Sequence, residues 1–120
     1  FVVRELDERA FLPAPAQGAL GLQIRSDDDY TASVVEKLTD PDTEIIVTAE
    51  RSFLKHFGGG CHVPLGALAE LENNEIILRG VVASPDSTFA AREFATGSDP
   101  VEVGAELARL IKLKGADKYI

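Results

Sequence analysis

The chain has 120 residues, 45% of them hydrophobic and 27% charged, enough for one small domain with a packed core. Twelve basic residues against twenty acidic ones leave a formal charge of −8, and such a chain can neutralise neither nucleic acid nor an anionic membrane surface. Its apolar runs, such as 45–47 and 81–83, are far too short to span a bilayer, nothing at the N-terminus resembles a secretory signal, and one cysteine makes no internal disulfide, so a reducing, cytoplasmic setting is expected.

Residues 1–10 pass from a β-branched start into the charged run Arg4, Glu5, Asp7, Glu8, Arg9. Pro13 and Pro15 then fix two φ angles and remove two N–H donors, which predicts a stiff, extended crossing through Gln17 and Gly18. Over 19–25, Leu20, Leu22 and Ile24 alternate and read as a strand. Ser26 or Asp27 is placed to cap a helix that runs to about Leu38.

Asp40-Pro41 is a helix start, an N-cap followed by proline at the first helical position. Ile45, Ile46, Ala49, Phe53 and Phe57 follow at helical spacing and mark a buried face, which Gly58-Gly59-Gly60 ends. Beyond Cys61 the period switches to two. Strands are expected over 65–71, 75–83 and 88–95, joined by Asn73-Asn74 and by 84–87, both compatible with antiparallel hairpins. Asp99-Pro100 repeats the helix-start signal, and Val103, Leu107, Leu110 and Ile111 form a second apolar face that Gly115 stops.

The expected fold is therefore α+β, a three-stranded antiparallel sheet covered on one face by helices over 40–120. The strand and helix before it look orphaned, since a lone strand needs neighbours to pair its edges. The sequence also contains no methionine and opens on Phe1, Val2 and Val3 as if a strand were already in progress. Both features make it read as a piece of a longer protein.

Cys61 is the candidate for chemistry. Glycines on one side and Pro64 on the other put it on a loop that a bulky group can approach closely. The preceding helix points its C-terminal end at the thiol, which disfavours a thiolate, and His62 is too near in sequence for a cysteine–histidine pair. That suits a thiol reacting once with a strong electrophile, whereas a buried, inert cysteine is the plainer alternative. No metal site is expected, because His56 and His62 find no second cysteine, and the glycine run lacks the lysine and hydroxyl of a phosphate loop. Arg25, Arg51, Arg79 and Arg92 read mostly as surface cations, with Arg51 placed to orient the cysteine loop.

Two segments together resemble the porphobilinogen deaminase (hydroxymethylbilane synthase) family. One is Leu12-Pro13-Ala14-Pro15-Ala16-Gln17-Gly18-Ala19-Leu20-Gly21-Leu22-Gln23-Ile24-Arg25, and the other runs from Thr48-Ala49-Glu50-Arg51 to Gly58-Gly59-Gly60-Cys61-His62-Val63-Pro64-Leu65-Gly66-Ala67. Ala16 stands where many family members have glycine, and Gln23 where many have glutamate, which leaves the role of that second position open. The resemblance implies a three-domain enzyme, with 1–12 as the end of the second domain and 13–39 as a hinge crossing plus the last strand and helix of the first. Residues 40–120 would be the C-terminal cofactor-attachment domain. It implies that Cys61 carries a dipyrromethane primer through a thioether, with Gln17, Gly59 and Gly60 beside it, and that Arg25 belongs to the same motif. The family links four porphobilinogen units into hydroxymethylbilane with loss of ammonia, in tetrapyrrole (heme) biosynthesis. Its partners would then be porphobilinogen, the growing oligopyrrole and the missing N-terminal domains, and the enzyme would be a monomer. The catalytic aspartate would lie in the earlier domains, so this chain alone is expected to be inactive. Two other readings are a stand-alone ligand-binding or regulatory module with an incidental cysteine, and a small thiol-redox protein, which lacks a resolving cysteine.

Overall fold

The computed structural model describes residues 1–58 and 64–118. Helix α1 (Asp29–Val35) continues as a 3₁₀ turn to Leu38, and α2 (Pro41–Lys55) leads to a meander of β1 (Leu65–Glu72), β2 (Glu75–Ala83) and β3 (Ala90–Gly97). Helix α3 (Pro100–Leu113) closes the unit. The strands are antiparallel in the order β1-β2-β3, with Ala67 opposite Gly80 and Leu78 opposite Ala95.

Local chemistry explains the element ends. Asp40 accepts from Thr43 N at 3.0 Å, and Asp99 accepts from the amides of Val101 and Glu102, so both Asp-Pro starts act as read from the sequence. The first helix begins later than expected, because Asp28 is the cap: it accepts both the amide and the hydroxyl of Thr31. Asn73 and Asn74 have φ of 51° and 63°, the two left-handed residues of a tight hairpin turn. Strand β3 starts two residues later than its apolar pattern suggests, since the Ser84 hydroxyl takes the amides of Thr88 and Phe89 out of the ladder.

One face of the sheet carries Ala67, Ala69, Ile76, Leu78, Val82, Ala91 and Ala95, all buried against α2 and α3. Phe53, Leu107 and Ile111 fill the layer between. Small residues set the spacing. Gly104, in the middle of α3, lies where an added Cβ would come within 2.5 Å of Ser52 Cβ and 2.7 Å of the Ala49 carbonyl oxygen. The two helices cross there at close range, and Ser52 secures the crossing by donating to the Val101 carbonyl at 2.8 Å.

The first third of the chain stands outside this core. No residue before Ala49 is buried, and the radius of gyration is 16.0 Å, against about 13.6 Å for a compact chain of this length. The strand expected over 19–25 is extended and joins no ladder among the described residues, with Leu20 98% exposed. A strand exists only through its partners' N–H and C=O groups, and nothing in the described chain offers them.

Gly104→Ala gains helix propensity of about 1 kcal/mol, yet the crowding at the crossing costs more. A net loss of about 1–2 kcal/mol in urea unfolding is expected. A second expectation concerns acid. Hydrogen bonds hold Asp40, Asp28 and Asp86 below their ordinary carboxylate range, from Thr43, Thr31 and Ser84 respectively, and Arg9 and Lys114 do the same to Glu70 and Glu93. Groups with depressed folded-state pKa contribute stability above their unfolded pKa and lose it as pH falls through the folded value. The thermal midpoint should therefore hold level from neutral pH to about 5 and fall below about 4.

Candidate functional site

Helix α2 brings two pieces together: the proline crossing lies along its N-terminal half, and the cysteine loop leaves from its C-terminal end. In the crossing, Gln17 N donates to the Ala14 carbonyl at 3.0 Å, while Gln17 Oε1 accepts from Ala14 N at 3.1 Å. Ala16 sits in the left-handed region at φ 61°, between prolines and a glycine also at positive φ.

One direct hydrogen bond and a carboxylate bridge fix this crossing to the edge of the sheet. The Pro13 carbonyl accepts from Ala67 N at 2.8 Å. Glu50, only 5% exposed, accepts from Ala69 N through Oε1 at 2.8 Å and from Ala16 N through Oε2 at 2.6 Å. One carboxylate thus satisfies an outward donor of the edge strand and a donor of the crossing, and both bonds are charge-assisted. The space between crossing, α2 and β1 is a cavity of about 270 Å³, walled by Pro13, Gln17, Thr43, Ile46, Glu50 and Leu68. A second hollow, about 510 Å³, lies between residues 18–22 and α2, with Leu20, Leu22, Leu38 and Val47 on its walls and Arg51 at its side.

At the other end of α2, Phe57 is buried and meets the Phe53 ring edge-to-face at 5.3 Å, with the Lys112 ammonium 5.3 Å from its centroid. This anchors the start of the loop. Gly58 follows at φ 83°, with open space where a Cβ would stand. The chain is next described at Pro64, whose carbonyl accepts from Ala83 N at 2.8 Å and so fixes the far end. Cys61, Gly59 and Gly60 lie outside the described residues, as do His62 and Val63; of the residues singled out for the primer, Gln17 alone is described. It lines the cavity beside residues 43–50 of α2.

The arginines divide as surface residues do. Arg25 is 80% exposed on its side chain and pairs loosely with Asp27 and Asp28. Arg51 is exposed and faces the hollow under Leu20. Arg79 pairs with Glu70 on the uncovered face of the sheet. Glu50 is what the sequence reading missed. It falls four residues after Ile46 and three before Phe53, on the buried stripe, and a carboxylate at a buried helical position signals donors waiting for it.

The fold defines a class: a small α+β unit, two helices on one face of a three-stranded meander, with a glycine-flanked cysteine in the sequence between its first long helix and its first strand. Residues 45–113 match the family model described as porphobilinogen deaminase, C-terminal domain. The chain belongs to that family. It is 45% identical over 106 residues to a porphobilinogen deaminase of Brevibacillus brevis, covering 88% of this chain and 34% of the relative. Proteins of the same name from Staphylococcus carnosus and Acidithiobacillus ferrooxidans are 39% and 42% identical, over 99% and 96% of this chain and 39% and 38% of theirs. The chain thus spans somewhat over a third of the length of these relatives.

Glu50→Gln keeps the shape of the clip but turns an amide N–H₂ toward a backbone donor, and a loss of about 1–3 kcal/mol is expected. Glu50→Ala should cost more, since it strands both donors. Hydrogen exchange provides the local check: the Ala69 amide should lose protection in both variants, well before amides of β2.

Proposed function

We propose that this chain is the C-terminal part of a porphobilinogen deaminase, a transferase that condenses four porphobilinogen units into hydroxymethylbilane with release of ammonia. The observation that carries the proposal is the family match over 45–113, a span that encloses the cysteine loop directly after α2. In this reading 40–120 is the cofactor-attachment domain. Cys61 holds the dipyrromethane group by a thioether, and Gly59, Gly60 and Gln17 border it. That group serves as the primer on which the chain of pyrroles is built.

The residues of this chain have a supporting part. The Phe57 anchor and the Pro64–Ala83 bond hold the described residues on either side of the stretch that contains Cys61. Glu50 keeps the crossing, and with it Gln17, against α2. Residues 13–39 would cross to an earlier domain and complete it, a division supported by the absence of burial before Ala49 and by an extended backbone over 19–25 that joins no ladder among the described residues. Residues 1–12 would close the second domain. The enzyme would be cytoplasmic and monomeric; among the described residues, no helix is long and apolar enough to cross a membrane. The strongly acidic balance of this piece accords with recognition of the substrate's carboxylates by residues elsewhere in the enzyme.

The test is the intact mass under denaturing conditions of this chain co-produced with the preceding part of a relative. An excess equal to two linked pyrrole units, absent from Cys61→Ser, is the expected result. A bare mass in a preparation that makes hydroxymethylbilane would overturn the assignment of Cys61. The chain produced alone should make none of that product.

A further inference from the structure

We draw no further inference here: the strongest candidate, the apolar hollow between residues 18–22 and α2 with Leu20, Leu22, Leu38 and Val47 on its walls, carries nothing because nothing in the structure shows what covers it.

Discussion

A single buried carboxylate ties together the parts of this molecule that have different origins in the sequence. Glu50 stands on the core side of α2, yet its two oxygens serve backbone amides 34 residues before it and 19 residues after it. Without it the edge of β1 would present an outward N–H at Ala69 to a largely dry surface, and the crossing would be held only by the Pro13 carbonyl. The angle at which residues 13–18 meet the helical layer therefore depends on one side chain. The same helix launches the cysteine loop, so the clip and the loop share a rigid support about 22 Å long.

The uncovered face of the sheet follows a different logic. There the contacts are ion pairs at partial exposure, Arg9 and Arg79 on Glu70. Such pairs contribute little to stability in water. Their effect is to orient guanidinium groups, while Arg92 donates to the Ala10 carbonyl.

Most of the C-terminal unit was legible in the sequence because its signals are local. Asp40-Pro41 and Asp99-Pro100 cap where they should, and Asn73-Asn74 turns the hairpin that alternation on both sides demands. What escaped depends on distant partners. The start of β3 moved because the Ser84 hydroxyl competes for two amides, a contest invisible to a period of two. The alternation over 19–25 was real, but pattern specifies which face is apolar and says nothing of whether a neighbouring strand is present. Glu50 drew no role from its neighbours in sequence, and only its place on the buried stripe marks it. Ala16 holds a φ of 61°, a conformation that costs alanine more than glycine.

The meander has a consequence for how this unit comes into being. Every strand pairs with its neighbour in sequence, across two residues at Asn73-Asn74 and six at 84–89. Closing loops that short costs little chain entropy, and domains built from such contacts assemble quickly. The outward edges are also protected: Pro13 and Glu50 occupy β1, and the Lys114 ammonium bonds the Arg92 carbonyl on β3 at 3.0 Å. On a nascent chain, the layer of helices and strands can therefore close on itself as soon as α3 emerges. Among the described residues, the extended backbone of 20–24 is left with open hydrogen-bonding groups, available to pair with another strand.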